Sequence, residues 1–134
     1  MKTETAHKIL IVDDDPNDTK ITKRLLSKSG FEVMVETVAS GAGALELLRN
    51  EDELPSLILL DLKMPGMSGI ETLRLIRAEE LLKNTTVIIV TNSLLESDRN
   101  ASYAAGADGF IQKAFDIDLF GRDIKSVLER WVKE

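Results

Sequence analysis

Four places in the sequence carry groups that could act together chemically. Asp13, Asp14 and Asp15 follow the apolar run KILIV, Asp61 closes LILL, Thr91 closes VIIV, and Lys113 follows GFIQ. A carboxylate at the end of a buried run needs a cation, a proton or a reaction, because an isolated charge is costly to desolvate. Several carboxylates brought together repel one another by several kcal/mol unless a cation lies between them. With no cysteine and only His7 as an imidazole in the chain, the available donors are oxygens, a set that selects Mg²⁺, or Mn²⁺, over zinc. A lysine supplies a compact positive charge for a phosphate, and a threonine hydroxyl can donate to a phosphoryl oxygen. An aspartate among such groups is placed to take a phosphoryl group as an acyl phosphate. Positioning and charge neutralisation are most of what phosphoryl transfer demands.

For these residues to meet, the segments between them must bring every run's carboxyl end to one edge. Short β-rich runs alternate with helical periods: strands at 8–13, 31–38, 56–61, 85–91 and 109–113, the second of them an alternating, edge-type strand. Ile21, Leu25 and Leu26 mark a first helix closed by Gly30, and Ser40 caps a second bearing Ala44, Leu45 and Leu48. Ser68 and Glu71 form a capping box for a third carrying Leu73, Ile76 and Leu81. A fourth helix spans about 94–105 and ends at Gly106; its serines, aspartate and asparagine give it modest helicity. Phe120, Ile124, Val127, Leu128 and Trp131 give the last helix its apolar stripe. Repeated β-then-α units require crossover connections, hence a doubly wound parallel sheet with helices on both faces. Function in such sheets collects outside the carboxyl ends of the strands. The four chemical sites fall there.

The remaining composition narrows the partners. The 134 residues suffice for one domain, and a net charge of −6 with scattered basic residues argues against a nucleic-acid surface. No apolar run reaches the length of a bilayer span, the polar start is not a secretory signal, and cysteine-free composition suits a cytoplasmic protein. His7 reads as an ordinary residue of a polar tail.

The runs ILIVDDDP, LILLDLKMPGMSGIE, VIIVTNS and GADGFIQKAFD, in this order across roughly 8–132, resemble the receiver domain of two-component response regulators, of the chemotaxis-type single-domain kind. The resemblance implies a flavodoxin-like (βα)5 fold with strand order 2-1-3-4-5, residues 1–7 as a tail, 8–132 as the receiver and no output domain. It implies phosphorylation of Asp61 by a histidine kinase or phosphotransfer partner. Asp14 would bind Mg²⁺ directly with Asp13 assisting, Asp61 sharing the ion, and Lys63 offering its backbone carbonyl. Thr91 and Lys113 would hold the phosphoryl group, and Phe110 would be the switch aromatic. The domain would signal rather than turn over a metabolite, accepting phosphoryl groups from small donors and losing them by itself. Its output would pass to a protein target through the face made by helix 4, strand 5 and helix 5, with Tyr103 a candidate contact.

Two positions depart from that pattern. Ala114 stands where the family usually has proline after a cis bond; a cis bond before alanine costs about 2.5–4 kcal/mol, which puts the path around Lys113 in question. Asn92 stands where a very small residue is usual and would narrow access to Asp61. Two other readings stay open at this point. In a haloacid-dehalogenase-type phosphatase Asp13 would be the nucleophile and Asp15 the acid; in a pseudo-receiver the site would bind without being phosphorylated. Asp15 before Pro16 also fits simple capping of the first helix.

Overall fold

The computed structural model describes residues 7–113 and 116–132. β1 (His7–Val12), β2 (Val33–Val38), β3 (Leu57–Leu60), β4 (Val87–Thr91) and β5 (Gly109–Gln112) form one sheet in the order β2-β1-β3-β4-β5. Every neighbouring pair is parallel. Between and after them run α1 (Pro16–Ser27), α2 (Gly41–Arg49), α3 (Gly69–Ala78), α4 (Glu96–Ala104) and α5 (Ile117–Trp131). This is the doubly wound, flavodoxin-like arrangement expected from the sequence.

The two-residue period of the strands divides the core between the faces of the sheet. Leu10, Val12, Ile58, Leu60, Val87 and Ile89 point to one side, against Ala44, Leu45 and Leu48 of α2 and Leu73 and Ile76 of α3. Ile9, Ile11, Leu57, Leu59, Ile88, Val90 and Ile111 point to the other, against Leu26 of α1 and Phe120, Ile124 and Leu128 of α5. The three central strands are buried along nearly their whole length, whereas β2 is only half-buried, as an edge strand should be.

Several boundaries differ from the sequence reading. His7 belongs to β1, not to a polar tail: its N–H bonds the Glu32 carbonyl and it pairs with Val33. α1 stops at Ser27 rather than at Gly30, although Gly30 adopts a positive φ in the following turn. α3 ends at Ala78, so Leu81 is 86% exposed while Leu82 enters the core in its place. α4 begins two residues later than expected, leaving Leu94 and Leu95 exposed ahead of it. The capping box is present: Glu71 N–H donates to Ser68 Oγ, and Ser68 N–H donates to the Glu71 carboxylate.

Candidate functional site

Asp13 and Asp61 each lie one residue beyond a central strand, so the sheet's hydrogen bonds fix their backbones. Asp13 N–H bonds the Val38 carbonyl and Asp61 N–H bonds the Val12 carbonyl. Lys113 stands one residue past β5, with its N–H on the Thr91 carbonyl at 2.7 Å. The turn after Asp61 passes Gly66 at φ +77° and comes back so tightly that Gly69, the first residue of α3, lies against the Asp61 carbonyl. Capping of α3 by Ser68 holds that return in place.

The side chains of Asp13, Asp14, Asp61 and Lys113 come together. One carboxylate oxygen each from Asp13, Asp14 and Asp61 lie within 4.8 Å of one another. Lys113 Nζ donates to Asp13 Oδ2 at 2.8 Å and lies 3.7 Å from Asp61 Oδ2. Thr91 is fully buried, its Oγ1 accepting from Ser93 N–H at 3.2 Å. Asp15 is committed to capping: its Oδ1 accepts from the Asn17 and Asp18 N–H groups at the head of α1. That occupation argues against Asp15 as a catalytic acid.

Burial pushes the Asp61 carboxyl up to about 6; Lys113 pulls it down, Asp13 pushes it up, and the Lys63 and Leu62 N–H groups pull it down. Desolvation therefore outweighs a nearby ammonium, the condition of a carboxylate whose charge is incompletely compensated. Burial also pulls Lys113 down, but its bonds to Asp13 and Asp18 outweigh this and hold it above the usual lysine value. A trio of hard oxygens with one under-compensated member fits a small divalent cation by its donor chemistry. A proton competes for the same carboxylate. Mg²⁺ affinity is accordingly expected to fall about tenfold between pH 7 and pH 5 as Asp61 protonates below about 6. Calorimetric titration checks this, and equal affinities at the two pH values would contradict it.

Asp18 was missed in the sequence. Its Oδ2 accepts a second hydrogen bond from Lys113 Nζ at 2.9 Å. An aspartate in a helix's first turn reads locally as a partner of the helix dipole, and no local pattern reveals a contact made 95 residues away.

Lys63 is two-thirds exposed, with Nζ 3.4 Å from Asp98 Oδ2 in the first turn of α4. Asp98 also accepts from Ser93 Oγ at 2.5 Å, and these donors, Ser93 foremost, hold its carboxyl below the usual range. Phe110 is half-buried in β5 and packs against the core. The Arg99 guanidinium of α4 lies 5.4 Å from its ring centre and 5.6 Å from that of Tyr103. α4 itself buries only Ser102 and has no side-chain cap, matching its modest intrinsic helicity. Asn92 is exposed at the end of β4. The Lys113–Ala114 bond lies outside the described residues.

Over residues 9–125 the sequence matches the family model of the response regulator receiver domain. The chain belongs to that family. This receiver domain is 40% identical over 125 residues to the transcriptional regulatory protein CpxR of Escherichia coli K12, covering 92% of this chain and 50% of CpxR. It thus spans half the length of that relative. Among solved structures it resembles the phosphorylated cyanobacterial phytochrome response regulator RcpA, with a TM-score of 0.87, 30% identity and 96% coverage of both chains. It also resembles the receiver domain of the sensor histidine kinase PA1611 of Pseudomonas aeruginosa PAO1, with a TM-score of 0.80, 27% identity and coverage of 95% and 98%. That structure holds a magnesium ion in its active-site cleft.

Proposed function

We propose that residues 8–132 act as a phosphorylation-driven switch, with Asp61 as phosphoacceptor and a histidine kinase or phosphotransfer protein as donor. The observation that carries this reading is the convergence of Asp13, Asp14 and Asp61 within 4.8 Å beside the ammonium of Lys113. Asp13, Asp14, Asp61 and the Lys63 backbone carbonyl would hold Mg²⁺, or Mn²⁺, which when bound neutralises charge on the transferring phosphoryl group. The Asp61 carboxylate attacks phosphorus; the O–P bond forms as the bond to the donor nitrogen breaks, and the donor imidazole leaves with the electron pair. Lys113 and the Thr91 hydroxyl take phosphoryl oxygens.

A phosphoryl group adds about −1.5 to −2 of charge at neutral pH. Thr91 moving toward it would vacate space into which Phe110 turns, and the Arg99 stack on Phe110 and Tyr103 ties that rotation to α4. A helix with so little buried surface is the element most easily re-populated. The target would read the face of α4, β5 and α5 as a protein–protein contact, in a cytoplasmic setting without membrane or nucleic-acid contact by this domain.

The test is incubation with a phosphoramidate donor and Mg²⁺, read as a gain of one phosphoryl mass that does not form when Mg²⁺ is chelated beforehand, nor in Asp61→Asn. No gain would leave the pseudo-receiver reading, and turnover of a phosphomonoester would leave the phosphatase reading. Two neighbours should tune the lifetime. Lys63, exposed and loosely paired, would swing from Asp98 to the phosphoryl group, so Lys63→Asn should shorten the lifetime about two- to fivefold, the scale of one exposed ion pair. Asn92→Ala should open the mouth of the site and speed hydrolysis. Unchanged decay in either variant removes that residue from the account.

A further inference from the structure

Resting on the phosphoacceptor reading, we infer that Asp18 is a positioning residue: it is the counter-ion that keeps Lys113 paired when a divalent cation draws on Asp13. The geometry isolates this role. Among the described residues, three carboxylates face the Lys113 ammonium, from Asp13, Asp18 and Asp61. Two of the three belong to the candidate metal trio and only Asp18 stands outside it. Both oxygens of Asp13 are engaged, Oδ1 by Asp15 N–H at 2.9 Å and Oδ2 by Lys113 at 2.8 Å. A cation that binds Asp13 therefore shares that carboxylate with an ammonium whose side chain is only 6% exposed. Without a second anion, Lys113 would be left buried and under-paired, which is costly.

Asp18 meets the need from a rigid base. Asp15 and Pro16 start α1, and the Asp18 N–H lies on the Asp15 carboxylate, so the Asp18 carboxylate projects from a fixed first turn onto Nζ at 2.9 Å. The pairing leaves the third ammonium N–H for Asp61 and for a phosphoryl oxygen on it. The plainer role for Asp18, stabilising the start of α1, predicts a fall in melting temperature and no specific link to Lys113.

A double-mutant cycle on Mg²⁺ affinity of the intact protein, measured by calorimetry without any phosphodonor, separates the two. Asp18→Asn should weaken Mg²⁺ about fivefold in the wild-type background, the scale of one partly exposed charge-assisted hydrogen bond. In a Lys113→Met background, with no ammonium to strand, the same substitution should change affinity less than about twofold. Lys113→Gln gives a second background of different shape, and Asp18→Glu should restore most of the affinity. Equal losses in the presence and absence of Lys113, or no loss at all, overturn the inference. Failure of the phosphoacceptor reading shows separately, as normal Mg²⁺ binding without phosphorylation.

Discussion

Gly69→Ala is expected to destabilise the protein by about 3 kcal/mol and to lower its melting temperature by about 10 °C. An alanine Cβ there would lie 2.2 Å from the Asp61 carbonyl oxygen and 2.7 Å from Leu62 Cα. Both atoms are backbone, so no flexible side chain can give way. The chain must move at Asp61 itself, because Gly69 N–H also bonds the Leu62 carbonyl at 2.9 Å. Alanine's better helix propensity returns at most about 1 kcal/mol, too little to reverse the sign. Gly66→Ala is the internal comparison: its φ is +77°, but a Cβ there meets nothing within 4 Å, so only about 1–2 kcal/mol should be lost. Because Gly69 abuts the Asp61 carbonyl, its substitution should also weaken Mg²⁺ binding, which Gly66→Ala should leave nearly intact. A melting temperature for Gly69→Ala within about 2 °C of wild type would contradict this packing argument.

Asp61→Asn should move stability and phosphorylation in opposite directions. The folded-state value of Asp61 is raised to about 6 from an ordinary 3.8, so between these values the folded protein holds a proton that the unfolded chain releases. Above about pH 6 the folded state bears a partly desolvated charge, and stability is lower there than at pH 4 by the linked amount. Discounted for partial solvent access, that amount is about 1–2 kcal/mol. The amide variant should therefore be more stable than wild type at pH 7.5 in metal-free buffer, and the difference should vanish near pH 4. Lys113 keeps Asp13 and Asp18 as partners in the variant, so the gain is not cancelled by a stranded ammonium. Saturating Mg²⁺ should reverse the order, since the wild type gains the binding energy. Phosphorylation should be abolished outright. A variant less stable than wild type in metal-free buffer at pH 7.5 would show that Lys113 already compensates Asp61 fully.

What the sequence revealed, and what it hid, follow from the range of each interaction. The capping box of Ser68 and Glu71 and the cap of Asp15 were legible because each closes within three residues. The parallel arrangement was legible because β-rich runs alternate with helical periods, and each such unit needs a crossover. The acidic trio and Lys113 were legible through strand ends, since parallel topology sends every carboxyl end to one edge. Leu81 misled because the helical spacing of apolar residues continues past Ala78, whereas the chain turns extended at Glu79 and sends Leu82 inward. His7 misled because a polar residue gives no strand signal; it is ordered by the Glu32 carbonyl on the neighbouring chain segment. Asp18 stayed hidden for the same reason in stronger form, as its partner is set by the tertiary fold, which brings Lys113 to the first turn of α1.

Asp61, and no other of the clustered carboxylates, is expected to carry the phosphoryl group. Borohydride reduction of the Mg²⁺-phosphorylated protein converts an acyl phosphate to the alcohol, and peptide mass analysis then locates it. The expected result is a single reduced residue, Asp61, appearing only with phosphodonor and Mg²⁺. Reduction at Asp13 or Asp14 instead, or a phosphoryl group that resists borohydride on a serine or threonine, would contradict the account.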